Sequence, residues 1–376
     1  MGAGKTMPEQ LSGNQTNSDA LHTRHSRVII DLNAIRANYT YLKSTCPQSK
    51  VIAVIKADAY GHGAIHVAQA LPHADAFAVA TTLEAIPLRK AGVTQKIIIL
   101  GGVINEAEMR HCIDYRLDPV IHQNFQIELL SHSKLTGPLD VWLKFNSGMG
   151  RLGFNAEDLV MELKRLGDNQ PEINIRLMTH LANADDPEDK KSLEQIEQVN
   201  QLALAEYEWG ISNSAGILGW PQSHKHWVRC GIALYGSDPM NGEDDNPRLT
   251  PVMTFKSQIL AVNQCSKGQS IGYGGLFTCE QNETIAVVAA GYADGYPRHL
   301  MGGFVSVNGE RAEIVGRVSM DMITIKVTGM SVAAGDEVIL WGSAPTANEI
   351  ARCSETISYE LFCHAGCHGK REYINQ

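Results

Sequence analysis

The sequence lacks the features of membrane proteins, nucleic-acid-binding proteins and small secreted domains. No apolar run approaches the roughly 18 uninterrupted residues that a membrane helix needs. No basic run is present and the formal net charge is −9, which argues against nucleic acid or an anionic membrane as a partner. The eight cysteines are scattered over 376 residues, which indicates reduced thiols in a cytoplasmic protein. Charged residues make up 19% and hydrophobic residues 44%, so we expect a globular chain with sizeable cores.

The first 26 residues are polar and lack the apolar segment of a signal peptide. Residues 2–6 end in Gly-Lys-Thr like a phosphate-binding loop, but the first required glycine is missing and no strand precedes them. We therefore expect a disordered polar tail over residues 1–26 and no nucleotide site.

Apolar strand-like runs recur from residue 51 to residue 235 and alternate with helical patterns. This alternation indicates a parallel sheet, and eight such runs fit a (β/α)8 TIM-type barrel better than an open sheet. Chemistry in such a barrel lies at the carboxyl ends of the strands. The predicted runs cover residues 51–55, 76–80, 96–100, 117–121, 141–145, 173–179, 208–212 and 228–235.

Beyond residue 235 the pattern changes. Residues 238–251 are rich in Pro, Asp and Asn and read as a linker, after which strands dominate. We expect one short helix there, near residues 347–357. The predicted domains are the barrel over residues 27–247, with residues 27–32 able to pair with the second domain, and a C-terminal β-rich domain over residues 248–376. The predicted strands of that domain cover residues 253–262, 283–290, 304–308, 312–318, 322–327 and 337–341.

Lys56 stands at the end of the buried run 51–55, before a turn that contains Gly61 and Gly63. Burial disfavours the ammonium form and lowers the pKa of such an amine, which suits a Schiff-base former or a proton carrier. A lysine that caps a strand and points to water is the more frequent arrangement. The segment by itself leaves both interpretations open.

Other polar residues follow predicted strand ends. Arg151 lies in the glycine-rich loop 147–153 and could clamp a carboxylate, although a surface arginine in a mobile loop fits equally well. Residues 212–215 offer hydroxyl and amide groups to a phosphate. Arg229 lies early in its run and fits the strand-end rule less well. The residues at or just beyond predicted strand ends are Lys56, Lys144, His180, Asn213 and Ser214.

Two tyrosines of the second domain, Tyr273 and Tyr292, stand in glycine-rich turns. They are either stiff loop anchors or acids and bases with a lowered pKa. Residues 363–368 carry two cysteines and two histidines, but the spacing is not that of a zinc finger, and we expect no metal.

Seven blocks, in order, resemble the alanine racemase family of pyridoxal-phosphate enzymes, which combine a barrel with a β domain. The resemblance covers nearly the whole chain from about residue 27. One block would be weak evidence, whereas seven in the family's order are specific. The blocks are residues 53–63, 147–153, 229–232, 272–274, 291–295, 316–321 and 356–360.

The resemblance implies that Lys56 holds pyridoxal 5'-phosphate. It also implies a two-base interconversion of L- and D-alanine, in which Lys56 acts on the D-antipode. Tyr273 from the partner subunit of a head-to-tail homodimer would act on the L-antipode. His180 would assist Tyr273 and contact Arg229, which would face the pyridine nitrogen. The resemblance also assigns cofactor binding to Tyr60, Asn213, Ser214, Gly231, Ile232 and Tyr359. It assigns binding of the substrate carboxylate to Arg151 and the Met320 backbone, and the substrate entry to Tyr292, Arg298, Arg317 and Asp185. Lys144 matches a lysine that is carbamylated in some members of the family.

The implied role is D-alanine supply for peptidoglycan, or alanine catabolism. A decarboxylase of the same fold is an alternative, but no typical decarboxylase block is present. A non-catalytic pyridoxal-phosphate carrier would not need the β domain or Tyr273. A broad-specificity or serine racemase ranks below an alanine racemase because such enzymes are often exported. Two departures from the family pattern are Ser319, where cysteine is common, and Asn146, where aspartate is common.

Overall fold

The structure is a computed structural model that describes residues 24–135, 137–169, 172–242 and 245–376. Most of the predicted polar tail, including residues 2–6, lies outside the described residues. Its last residues are packed against the second domain. Arg24 and Ser26 donate hydrogen bonds to the Asp294 carboxylate over 3.1 and 2.7 Å, and the Ser26 side chain is buried.

Eight parallel strands close into the predicted barrel, each paired with its neighbour in sequence and the last with the first. Their side chains are buried on both faces, because one face lines the barrel interior and the other packs against the surrounding helices; Val51, Ile52 and Phe77 are completely buried. The barrel strands are β2 (Lys50–Val54), β3 (Ala76–Val79), β4 (Lys96–Ile99), β5 (Asp118–Ile121), β6 (Leu139–Lys144), β7 (Ile173–Met178), β8 (Trp209–Gly210) and β9 (Trp227–Cys230), and β1 (Arg27–Asp31) precedes them. The helices of this part are α1 (Leu32–Thr45), α2 (Lys56–Tyr60, a left-handed turn), α3 (Ala64–Ala70), α4 (Thr82–Lys90), α5 (Glu106–Asp114), α6 (Asn124–Ser131), α7 (Ala156–Asn169), α8 (Lys191–Gln201) and α9 (Ser214–Gly219).

The last barrel strand is shorter than predicted. It ends at Cys230, because Gly231 turns the chain (φ −105°, ψ −103°) into the 3-10 segment Ile232–Tyr235. Arg229 is therefore the penultimate residue of its strand. The expectation that it lies early in a longer strand was wrong.

The strands of the second part are β10 (Met253–Cys265), β11 (Ser270–Ile271), β12 (Phe277–Thr278), β13 (Glu283–Val288), β14 (Phe304–Val307), β15 (Glu310–Ile314), β16 (Ile323–Lys326), β17 (Glu337–Trp341) and β18 (Lys370–Ile374). Its main sheet has eight strands in the order β13-β16-β15-β14-β17-β10-β1-β18. Strand β1 pairs antiparallel with β10 and parallel with β18, so the first described strand lies in the sheet of the second domain.

Two helices are present instead of one: α10 (Ala347–Cys353) lies within the predicted range 347–357, and α11 (Ser358–His364) follows it. The single-helix prediction was wrong because Glu355 adopts a left-handed φ of 54° and Ile357 is extended, which ends one helix and starts another. Helix α11 packs against the turn that follows β2. A Cβ on Gly61 would lie 2.2 Å from the Phe362 carbonyl oxygen, so only glycine fits this contact. Among the described residues, no helix is long and apolar enough to cross a membrane.

Candidate active site

Lys56 lies just beyond the end of β2 and is followed at once by a left-handed turn. The four residues that follow Lys56 have φ between 51° and 56°, a conformation that costs about 1–2 kcal/mol for each non-glycine residue. Tertiary contacts hold it. The Glu84 carboxylate accepts the Ala57 N–H over 3.0 Å, and Arg371 pairs with Asp58 over 2.6 Å. Contacts with residues from distant parts of the chain thus hold the turn and fix the position of Lys56 at its start.

The lysine opens into a cavity of about 410 Å³ at the carboxyl end of the barrel. Eleven of the predicted site residues line this cavity, which brings together groups from seven regions of the sequence. A larger cavity of about 850 Å³ lies at the amino-terminal end of the barrel and contains none of them. The eleven residues are Lys56, Tyr60, Lys144, Arg151, His180, Asn213, Ser214, Arg229, Gly231, Ile232 and Tyr359.

The cavity has a strongly positive lining. Four of its side chains are cationic types, namely Lys56, Lys144, Arg151 and Arg229, and no carboxylate is among the described residues that line it. Burial lowers the pKa of Lys56, and Arg151 lowers it further. Burial, followed by Arg229, Arg151 and Lys56, lowers the pKa of Lys144 to about 8. The site therefore favours neutral amines and anionic ligands.

Arg229 is fixed by backbone carbonyls. It donates to the carbonyl oxygens of Gly210, Thr179 and Ile211 over 3.0, 2.6 and 2.9 Å. Burial lowers its pKa to about 10, which still leaves the guanidinium protonated at neutral pH. In the described part of the chain, no group accepts its Nε–H.

His180 lies beside Arg229. The distance from the Arg229 Nη2 to the His180 Nδ1 is 3.4 Å. Burial, with Arg229 as the next cause, lowers the pKa of His180 well below its ordinary value. Because a guanidinium only donates, Nδ1 must accept, and the neutral ring carries its proton on Nε2.

A set of hydroxyl groups lies on the other side of the cavity. The Ser214 hydroxyl oxygen accepts the N–H groups of Gly231 and Ala233 over 2.8 and 3.3 Å. The rings of Tyr60 and Tyr359 lie 5.9 Å apart, and a Cβ on Gly231 would be 2.9 Å from the Tyr60 hydroxyl. Asn213 caps α9 by accepting the Gly216 N–H over 2.9 Å. These groups form a compact donor set of the kind that holds a phosphate.

The remaining predicted residues do not line the cavity of their own chain. Tyr273 is 70% exposed at the tip of the β11–β12 hairpin, and Met320 is 52% exposed. Asp185 accepts hydrogen bonds from Asn241 near Tyr359. The others, Tyr292, Arg298 and Arg317, belong to the second domain.

Sequence reasoning missed Glu84, whose carboxylate bridges the N–H groups of Ala57 and Ala80. The Thr81-x-x-Glu84 spacing is a capping signature and could have drawn attention to it. In the structure Thr81 does accept the Glu84 N–H over 3.4 Å, but the glutamate side chain holds the lysine turn instead. Asn146 shapes the loop before Arg151 by accepting the Gly150 N–H over 2.9 Å.

Family models match both parts of the chain: "Alanine racemase, N-terminal domain" over residues 30–239 and "Alanine racemase, C-terminal domain" over residues 252–373. The alanine racemase of Halorhodospira halophila is 42% identical over 360 residues, which cover 94% of this chain and 99% of that protein. The solved alanine racemase of Acinetobacter baumannii has a TM-score of 0.90 at 36% identity and covers 94% of this chain and 100% of that one. The solved alanine racemase of Bartonella henselae "with covalently bound pyridoxal phosphate" has a TM-score of 0.83 at 30% identity, with coverages of 93% and 99%.

A (β/α)8 barrel joined to a β-rich domain, with a half-buried lysine at the carboxyl end of the barrel and family-model matches over both domains, places the chain among the isomerases of the pyridoxal-phosphate-dependent amino-acid racemase class. The matches extend over both domains rather than over the barrel alone. The chain belongs to the alanine racemase family, and its function is alanine racemisation.

Proposed function

We propose that the chain interconverts L- and D-alanine with bound pyridoxal 5'-phosphate and two bases, Lys56 and Tyr273, that come from different copies of the chain. The observation that carries this proposal is the cavity around Lys56, with four cationic side chains and no carboxylate among its described lining residues. Such a cavity complements an anionic phosphate and an amino-acid carboxylate together.

The donor groups of the cavity fit the cofactor. Lys56 forms no salt bridge among the described residues, and burial followed by Arg151 lowers its pKa, which suits its amine to a covalent bond with the cofactor aldehyde. Ser214, Tyr60 and Tyr359 offer hydroxyl groups to the phosphate, with the Gly231 backbone beside them. When bound, the cofactor withdraws electrons from the α-carbon of the substrate, so that its α-proton can be removed.

Arg229 would present its Nε–H to the pyridine nitrogen. Its pKa of about 10 keeps it a donor at neutral pH, so the ring nitrogen can only accept and stays largely unprotonated. This weakens electron withdrawal and limits side reactions such as transamination. The three carbonyls that hold the guanidinium fix its direction.

Proton transfer needs one base on each face of the planar α-carbon. The lowered pKa of Lys56 makes its neutral amine available on one face. Tyr273 of a second copy would stand on the other face, where the Nε2–H of His180 can donate to its phenolate oxygen. A tyrosine needs this help because its ordinary pKa is about 10. We assign the D-antipode to Lys56 and the L-antipode to Tyr273.

The substrate carboxylate would be bound by Arg151 and by the backbone at Met320. Met320 lies in the second domain, and its carbonyl oxygen accepts the Ala293 N–H over 3.0 Å. A second copy that brings Tyr273 would therefore also bring Met320. We propose that the residues of the substrate entry are Tyr292, Arg298 and Arg317 of that copy and Asp185 of the barrel.

A homodimer is supported by an apolar surface around the hairpin of the second domain. Tyr273, Leu276, Met320 and Met322 are 70%, 64%, 52% and 45% exposed. Exposed apolar residues that are grouped in this way indicate a protein interface. We propose a head-to-tail homodimer in the cytoplasm that supplies D-alanine for peptidoglycan or serves alanine catabolism.

The proposal also includes a chemical modification of Lys144. It is 8% exposed, forms no salt bridge among the described residues, and has three cationic side chains as neighbours. Carbamylation by CO2 would replace this positive charge with a negative one beside Arg151 and Arg229. We propose that Lys144 is carbamylated.

The experiment that tests the two-base assignment is solvent exchange of the α-proton in deuterium oxide. The equilibrium constant of racemisation is one, so the kcat/KM values in the two directions must change together. Exchange of the α-proton with retention of configuration needs only one base, so it measures Lys56 when it starts from D-alanine and Tyr273 when it starts from L-alanine. In Tyr273→Phe we expect exchange from D-alanine to continue and exchange from L-alanine to fall by about 10²-fold or more.

Lys56→Ala should lose the visible absorbance of bound cofactor, exchange from both antipodes, and racemisation. Tyr207→Phe, which changes a tyrosine that does not line the cavity, is the matched control and should behave like the wild type. Equal loss of exchange from both antipodes in Tyr273→Phe, or survival of activity in Lys56→Ala, would refute the assignment.

A further inference from the structure

Two cysteines stand at the base of the hairpin that carries Tyr273. Cys265 is the last residue of β10, and Cys279 follows the last residue of β12. Between them the chain forms the turn at residues 266–269, strand β11, the tip Tyr273–Gly275 and strand β12. The two cysteines therefore bracket the whole segment that presents the tyrosine.

Backbone hydrogen bonds bring the two ends of this segment together. The Cys279 N–H donates to the Gln269 carbonyl over 2.9 Å, and the Gly268 N–H donates to the Cys279 carbonyl over 2.8 Å. The turn is closed by Gln269 N–H to the Ser266 carbonyl over 3.0 Å. These bonds fold the chain back, so that Cys279 lies beside the end of β10.

Both side chains point into one small apolar cluster, which is separate from the main core. Cys265 is 7% exposed and Cys279 is 1% exposed, and Ile271, Ile285 and Val315 complete the cluster. Their place in one five-residue cluster makes them neighbours, and burial, followed by the nearby Cys279, raises the pKa of Cys265. Both are free thiols in the structure.

We propose that Cys265 and Cys279 form a reversible disulfide that braces the base of the Tyr273 hairpin. Oxidation takes place by exchange with a small disulfide such as oxidised glutathione. The Cys265 thiolate, the more exposed of the two, attacks one sulfur of the small disulfide and expels the first thiolate. The Cys279 thiolate then attacks the Cys265 sulfur and expels the second. Two protein thiols thus give two electrons and two protons to the small disulfide, which leaves as two thiols.

The other cysteines differ from this pair. Cys46 and Cys230 interact electrostatically, but each thiol donates to a backbone carbonyl, Leu42 over 3.1 Å and Ile52 over 3.5 Å, and both lie in the main core. Cys363 and Cys367 are exposed, and we expect them to form mixed disulfides with glutathione. The bond between Cys265 and Cys279 does not depend on the proposed catalytic role of Tyr273. Only an effect on turnover would rest on that role.

Lys267 lies between the two cysteines and gives the experiment a clear readout. Trypsin cleaves after Lys256, Lys267 and Arg298, so Cys265 and Cys279 fall in two adjacent peptides, 257–267 and 268–298, with one cysteine each. The full-length holoenzyme is equilibrated with oxidised glutathione, its free thiols are alkylated in denaturant, and the tryptic peptides are analysed without and with a reductant. We expect the two peptides to be joined by a bond that the reductant breaks.

Amide hydrogen exchange of the native holoenzyme gives a second readout. We expect exchange over residues 268–279 to slow by about tenfold or more on oxidation, because the cross-link restricts the opened hairpin. Cys265→Ser should abolish the joined peptides and the slowing, while Cys363 is still modified.

Complete modification of Cys363 with peptides 257–267 and 268–298 still separate would overturn the proposal. So would a linkage of either cysteine to another cysteine, or to a second copy of the chain. None of these outcomes depends on racemase activity, so failure of this proposal is distinguishable from failure of the proposed function.

Discussion

The reactivity of Lys144 towards CO2 depends on the fraction of its amine that is neutral, and this fraction follows from the pKa of the side chain. A pKa of about 8 leaves about a tenth of its amine neutral at pH 7. An ordinary lysine, with a pKa of about 10.4, leaves about 0.04% neutral, so Lys144 has roughly 250-fold more of the reactive form. The cause is burial beside three cationic side chains, which also favours the negative carbamate once it forms.

The assay is carbon NMR of the holoenzyme equilibrated with ¹³C-labelled bicarbonate. At a fixed concentration of dissolved CO2 we expect a carbamate signal at pH 8 that falls steeply at pH 6, where only about 1% of the amine is neutral. Lys144→Met should remove the signal and raise the KM for alanine about tenfold, because Arg151 loses a charged neighbour worth about 1.4 kcal/mol. Lys144→Glu should restore part of the affinity.

Lys134→Met is the matched control, because Lys134 is exposed and lies outside the cavity. It should keep both the signal and the KM. The reasoning is refuted if no carbamate signal appears in the wild type at pH 8, or if the signal persists in Lys144→Met.

Two further predictions concern the cofactor site and the opposite end of the barrel. Gly231→Ala would place a Cβ 2.9 Å from the Tyr60 hydroxyl, so we expect the affinity for the cofactor to fall about tenfold in an absorbance titration. Gly167→Ala is the control and should have no effect, because the space around Gly167 is open. Equal affinities of the two variants would contradict the assignment of the phosphate site. Burial raises the pKa of Asp118 to about 6, so the folded state favours the protonated carboxyl group. The resulting contribution to the free energy of unfolding is fully present below about pH 4 and is lost as the pH rises through 6. Asp118→Asn should therefore gain stability relative to the wild type between pH 4 and 6, by at most about 3 kcal/mol. A difference in thermal midpoint that does not vary with pH would count against this.

The barrel could be predicted from sequence because its strands are short, continuous runs of β-branched and other apolar residues separated by helical patterns. Each of the eight predicted runs overlaps one barrel strand. The position of Arg229 could not be predicted, because the strand ends where Gly231 passes close to Tyr60, and that neighbour comes from a distant part of the chain. Helix α11 was missed for a similar reason, since the break at Glu355 rests on a left-handed backbone that local propensity does not favour.

The site was predictable in its residue types but not in its geometry. Strand-end positions and family blocks pointed to the eleven residues that line the cavity. The left-handed turn after Lys56 was not predictable, because alanine and tyrosine do not favour that conformation and the contacts from Glu84 and Arg371 that hold it are tertiary. Nor does the local sequence of Tyr273 reveal that the side chain is exposed and does not line the cavity of its own chain.

The central claim, that each site combines Lys56 of one copy with Tyr273 of another, is tested most directly by mixing two inactive variants. Lys56→Ala and Tyr273→Phe are unfolded together in equal amounts, refolded with cofactor and assayed for racemisation. Random pairing makes half of the dimers mixed, and each mixed dimer has one intact site out of two, so we predict about a quarter of wild-type activity. A mixture no more active than the two variants measured separately, while refolded wild type regains its activity, would contradict the account.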